Sequence, residues 1–184
     1  DMNGDGFGDV IIGSYNDFSV NTTYVVFGKS SGFDAAMDLS SLDGSNGFGL
    51  NEVEMRDSAG LSVSGAGDVN GDGFDDVIVG AFHADANGSS QSGSSYVVFG
   101  KASGFDAEMN LSSLNGSNGF RLDGAEQGDQ SGFSVSGAGD VNGDGFDDVL
   151  IGAYGVDSNG NYSGASYVLF GKASGFDAAM NLSS

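Results

Sequence analysis

The sequence DVNGDGFDD occupies Asp68–Asp76, recurs unchanged at Asp140–Asp148 and returns with two changes as DMNGDGFGD at Asp1–Asp9. Each copy sets oxygen-bearing side chains at positions 1, 3, 5 and 9, with glycine at positions 4 and 6. Alternate residues can then turn their oxygens inward around a hard cation, while glycine permits the tight turn. Magnesium prefers rigid octahedral sites and keeps much of its water, so a loop offering this many protein oxygens suits calcium. The expected ligands are Asp1, Asn3, Asp5 and Asp9; Asp68, Asn70, Asp72 and Asp76; Asp140, Asn142, Asp144 and Asp148. Phe7, Phe74 and Phe146 at position 7 are expected to add a backbone carbonyl while their rings pack between strands. That gives about three Ca2+ per chain. Position 8 (Gly8, Asp75, Asp147) varies and is expected to face solvent.

An EF-hand would place a bidentate Glu at position 12 and open into a helix. Here position 12 is Ile12, Val79 or Ile151, inside the apolar runs Val10-Ile11-Ile12, Val77-Ile78-Val79 and Val149-Leu150-Ile151. Short β-branched runs stopped by Gly13, Gly80 and Gly152 predict buried strands, so each loop bridges two strands.

Other landmarks recur with the loops. Tyr24–Lys29 returns at Tyr96–Lys101 and Tyr167–Lys172; Gly47-Phe48 returns at Gly119-Phe120; Gly60–Asp68 matches Gly132–Asp140. The period, roughly 67 to 72 residues, suits one small antiparallel sheet with long connections, and copies this similar imply identical packing of each unit on the next. The approximate units are 1–59, 60–131 and 132–184. Four strands are predicted per unit: the segment before the loop (Leu61–Gly65, Phe133–Gly137), the apolar run after it, the Tyr-Val-Val-Phe segment, and the segment around Phe120–Leu122. Between the third and fourth, a helical turn capped by Asp34, Asp106 or Asp177 is expected. Gly88–Ser95 reads as a flexible loop. Four short strands per repeat with glycine-marked turns predict an all-β chain of β-propeller blades, each a four-stranded antiparallel sheet, about three of them present.

Gly132-Phe133-Ser134-Val135-Ser136-Gly137-Ala138-Gly139-Asp140, running into Val149-Leu150-Ile151-Gly152-Ala153, resembles the FG-GAP repeat, the blade unit of the integrin α-subunit propeller. The likeness covers essentially the whole chain in three registers. It implies that the metal loop joins the first and second strands of a blade. The second unit has Leu61 in place of the leading Phe, and the family's terminal Pro is Ser14, Phe82 or Tyr154 here.

The net charge is −21, from 26 acidic and 5 basic residues. Such a field repels nucleic acid and anionic membranes, so neither is an expected partner, and no run long and apolar enough for a membrane span occurs. With no cysteine, metal ions take the place of disulfide staples. His83 is the only histidine and reads as a surface residue; no catalytic constellation recurs across the units, and the chain reads as non-enzymatic. Lys29, Lys101 and Lys172 are expected to pair with nearby aspartates. Extracellular or cell-surface location follows from millimolar calcium outside cells and from the resemblance. About three blades fall short of a closed ring, which predicts a segment of a longer propeller or, failing that, copies that complete one another. The expected partner is a protein or further copies of the chain. The alternative is a lectin-like propeller in which Tyr15, Tyr154 and Tyr162 stack on a glycan.

Overall fold

Apolar runs punctuated by glycine do become strands in the computed structural model, which describes residues 1–14, 21–102, 104–157, 160 and 162–182. In chain order the strands are β1 (Val10–Ile12), β2 (Thr22–Val26), β3 (Gly47–Asn51), β4 (Ser62–Gly67), β5 (Asp76–Ala81), β6 (Ser94–Val98), β7 (Glu108–Asn110), β8 (Gly119–Asp123), β9 (Ser131–Gly139), β10 (Asp148–Ala153), β11 (Ala165–Leu169) and β12 (Ala179–Asn181). They form three open sheets, ordered β1-β2-β3-β7, β12-β8-β6-β5-β4 and β11-β10-β9. The complete middle blade runs β4, β5, β6, β8 as an antiparallel meander, with Val79 opposite Tyr96 and Tyr96 opposite Arg121. The fold is therefore all-β and built as a partial propeller.

Two short strands depart from expectation. β7 joins β3, and β12 joins β8, in both cases parallel and from the following repeat. They cover the outer edges of the first two sheets, which would otherwise present unpaired amides and carbonyls. The helical turns lie at Leu39–Ser41, between β2 and β3, and at Leu111–Ser113, directly after β7. Their caps are Asp38 and Asn110, each accepting the N–H two residues on, rather than Asp34 and Asp106. Extended backbone at 108–110 displaces the cap from its predicted place. Asp177 likewise precedes β12 instead of capping a turn.

Each blade is apolar on both faces. Val25, Phe27, Phe48 and Leu50 of the first sheet pack on Val77, Val79, Tyr96 and Val98 of the second. Ile78, Val97, Phe120 and Leu122 then pack on Val149, Ile151 and Val135 of the third. The run Val77-Ile78-Val79 is thus wholly buried, while Val10 is 51% and Leu150 39% exposed because the end sheets are covered on one face only. Glycine sets the spacing between blades. A Cβ on Gly80 would collide with the Gly132 carbonyl, and one on Gly13 with that of Gly60.

Only the first half of the Gly88–Ser95 stretch is an exposed turn of the kind its composition predicts; the second half is buried and runs into β6. Ser92, Ser94 and Ser95 are buried, and the Ser94 hydroxyl donates to Asp123 at 2.9 Å. Small hydroxylated residues are what the tight interior between blades accommodates here.

Candidate metal centre

Each loop sits between two strands of a blade, or leads into β1 in the first sheet, and is ordered by its own carboxylates. Asp68 accepts the N–H groups of Gly71, Asp72 and Gly73 at 2.7 to 3.0 Å; Asn70 accepts that of Asp72, and Asp72 that of Phe74. Asp140, Asn142 and Asp144 repeat the pattern. Asp1, Asn3 and Asp5 repeat most of it. The glycines at positions 4 and 6 hold φ between +70° and +92° in all three loops, a region that a side chain at either position would strain.

Position 9 does a different job. Asp76 is fully buried; one oxygen accepts the Val69 N–H at 2.9 Å and the other the Gly100 N–H at 2.9 Å. Asp9 binds Met2 and Gly28 in the same way, and Asp148 binds Val141 and Gly171. Each aspartate therefore ties the start of its loop to the end of the third strand. Burial pushes the Asp76 carboxyl up to about 8, with Asp72 and Asp68 adding repulsion, despite the two amides.

The Phe rings and position 8 reach across to the neighbouring blade. The Phe74 ring lies against Gly4 and the Phe146 ring against Gly71, so they cover the preceding loop rather than filling space between strands. Phe7 is 40% exposed. Position 8 does more than face solvent: Gly8 and Asp75 are exposed, as its variability suggests, and Asp147 is half-buried, but both aspartates also bond to the preceding loop. The Asp147 carboxylate accepts the Asp68 N–H at 2.8 Å while its own N–H donates to the Asp68 carbonyl at 3.1 Å. Asp75 makes the equivalent pair with the amino group and carbonyl of Asp1.

The donor set is all oxygen: carboxylates, the Asn side-chain carbonyls and main-chain carbonyls, the chemistry a hard cation selects. Among the described residues, no three Asp, Glu, His or Cys side chains are gathered tightly enough to cage an ion on their own. Within each loop amide hydrogens face the carboxylates instead; Asn70 Nδ2, for example, donates to Asp72 at 2.9 Å.

Elsewhere, Lys29, Lys101 and Lys172 form no ion pair with an aspartate among the described residues. Their ammonium groups stand over the rings of Phe33, Phe105 and Phe176 at 4.8 to 5.0 Å. His83 is half-buried, its Nδ1 3.1 Å from the Ser58 hydroxyl. Tyr154 stacks edgewise on Phe133, Tyr162 is 74% exposed, and Tyr15 lies outside the described residues. Among the described residues no helix is long and apolar enough to cross a membrane.

The FG-GAP repeat family matches residues 59–98 and 131–169, each spanning the opening strand, the loop and the next two strands. Integrin alpha pat-2 of Caenorhabditis elegans is 32% identical over 161 residues, 84% of this chain and 12% of that protein. Integrin alpha-5 of Xenopus laevis is 31% identical over 115 residues, 62% of this chain and 10% of that protein. Integrin alpha-V of Gallus gallus is 32% identical over 109 residues, 59% and 10% respectively. The chain spans about a tenth of the length of these curated relatives. It carries FG-GAP repeats and is integrin-α-like over most of its length.

Proposed function

We propose that this chain is a calcium-stabilised segment of a β-propeller that works outside the cell, as a non-enzymatic module for adhesion, protein–protein interaction or self-assembly. The observation that carries the metal reading is the threefold repetition of one loop geometry, in which Asp9, Asp76 and Asp148 are each held by two backbone amides. The residues that would hold the ions are those at positions 1, 3, 5 and 9, with the carbonyls of Phe7, Phe74 and Phe146. A bound calcium would supply the positive charge that the clustered carboxylates lack. The loops would then stiffen the connection between the first two strands of each blade, and folding would be linked to metal.

The uncovered end faces support an interaction role. Val10 on the first sheet and Leu150, Val168 and Phe170 on the third occupy places whose repeat equivalents are buried between blades. Further blades, on this polypeptide or on another copy, fit those faces.

The test is thermal or urea unfolding with calcium, with magnesium and with a chelator. Extracellular-type affinity of about 10⁻⁴ to 10⁻³ M gives about 1.4–2.7 kcal/mol of stabilisation per loop at about 10 mM calcium. Magnesium should give less. Equal stability in all three conditions would overturn the metal reading. A sugar-binding reading draws on the exposed Tyr154 and Tyr162 rings, and reproducible hits on a glycan array would favour it over adhesion.

A further inference from the structure

Adjacent metal loops are physically joined, and the joint is a residue that the ligand pattern leaves out. Asp147 lies between Phe146 and Asp148, two of the proposed ligand positions of the third loop. Its main-chain N–H and its carboxylate hold the carbonyl and the N–H of Asp68, position 1 of the second loop, at 3.1 and 2.8 Å. The Lys172 N–H adds a bond to the Val69 carbonyl at 3.0 Å, and the Phe146 ring covers Gly71. The fit leaves no slack, since a Cβ on Gly67 would strike the Asp147 carboxylate. The junction between the second and first loops repeats every part: Asp75 on Asp1, Lys101 on Met2 and Phe74 over Gly4.

We infer that Asp75 and Asp147 are positioning residues that couple neighbouring calcium sites, so that filling one loop raises the affinity of the loop on the preceding blade. This rests on the calcium reading above. Ordering the third loop fixes Phe146 and Asp148, and with them Asp147. Asp147 fixes both main-chain groups of Asp68, so the first ligand of the second loop is already in place when its ion arrives. Linkage requires the reverse as well, the second loop's ion favouring the third's. The Asp68–Asp147 contact is half-buried and built from paired hydrogen bonds, which is the kind of contiguous connection that carries coupling. The first loop has Gly8 where the others have Asp, so its carboxylate contribution toward any earlier loop is missing.

Site-resolved titration tests this. The Gly73 and Gly145 N–H groups donate to Asp68 and Asp140, so their amide resonances report calcium in the second and third loops separately. Impairing the third loop with Asp144→Asn should weaken calcium uptake by the second at least about fivefold. The same loss should occur in an Asp147→Asn chain, where the amide oxygen still accepts the Asp68 N–H. In an Asp147→Ala chain, Asp144→Asn should leave the Gly73 midpoint where it was, with dispersed spectra showing that each variant is folded. A Gly73 midpoint indifferent to Asp144→Asn, or equally sensitive to it with and without Asp147, would overturn the coupling. Two saturable but independent sites would do so while leaving the calcium reading intact. No uptake at either glycine would overturn both.

Discussion

The Asp76 carboxylate accepts the Gly100 backbone N–H across 24 residues of sequence, so the last acidic position of a candidate metal loop also closes the end of the third strand of its blade. Its other oxygen holds Val69. Asp76→Ala strips acceptors from two buried amides at once. With an unsatisfied buried donor costing about 1–3 kcal/mol, we expect a loss on the order of 3 kcal/mol in urea unfolding with calcium present. Asp76→Asn keeps one acceptor and should cost less. A loss below about 0.5 kcal/mol for Asp76→Ala would contradict the role assigned to the two amides.

Gly80→Ala tests the spacing between blades. The added methyl would meet the Gly132 carbonyl, a main-chain atom that cannot rotate away. Overpacking of this kind costs about 1–3 kcal/mol, and the same change at Gly65, where open space surrounds the missing Cβ, should cost less. Melting temperatures of the two variants make the comparison.

The edge strand β12 is pinned by Phe176, which is buried and stacked on Phe120 with ring centroids 4.5 Å apart. Phe176→Ala should cost about 3–5 kcal/mol. It should also raise hydrogen exchange at Arg121, whose N–H donates to the Ala178 carbonyl at 3.0 Å. Unchanged exchange at Arg121 would mean that β12 docks without the ring.

Asp57 gives a pH dependence outside the candidate metal loops. Burial pushes its carboxyl up to about 6, reinforced by the charges of Glu52, Glu54 and Asp85 and opposed by the Glu54 amide. A raised carboxyl pKa means that the folded chain holds its proton more tightly than the unfolded one. The stability this contributes is complete below about 3.8 and is lost as pH rises through about 6. Asp57→Asn, which keeps an acceptor for the Glu54 N–H, should therefore gain on the parent chain as pH goes from 4 to 7. A pH-independent difference between the two would show that Asp57 titrates normally.

Long apolar runs made the principal strands legible. The continuous Val77-Ile78-Val79 and the repeated Tyr-Val-Val-Phe segment both predicted buried strands, and β5 and β6 are where they were expected. β7 and β12 left no such trace, because each has three residues with one long apolar side chain, Met109 or Met180, and pairs with the preceding blade. Composition misled at Ser92–Ser95, where serines that suggest an exposed loop are buried between blades. Spacing singled out the position-9 aspartates, and their double amide contacts explain why Asp alone fills that place in all three loops. The task of Asp147 was hidden for a simpler reason. Its partner Asp68 lies 79 residues away, and a varying position beside a fixed motif looks like solvent.

The central claim is that the three loops bind calcium, and isothermal titration of the chelator-stripped chain with calcium tests it most directly. The account predicts saturable binding of about three ions per chain at about 10⁻⁴ to 10⁻³ M, reduced by about one ion in Asp72→Ala. Absence of saturable binding, or a stoichiometry that Asp72→Ala does not change, would contradict it.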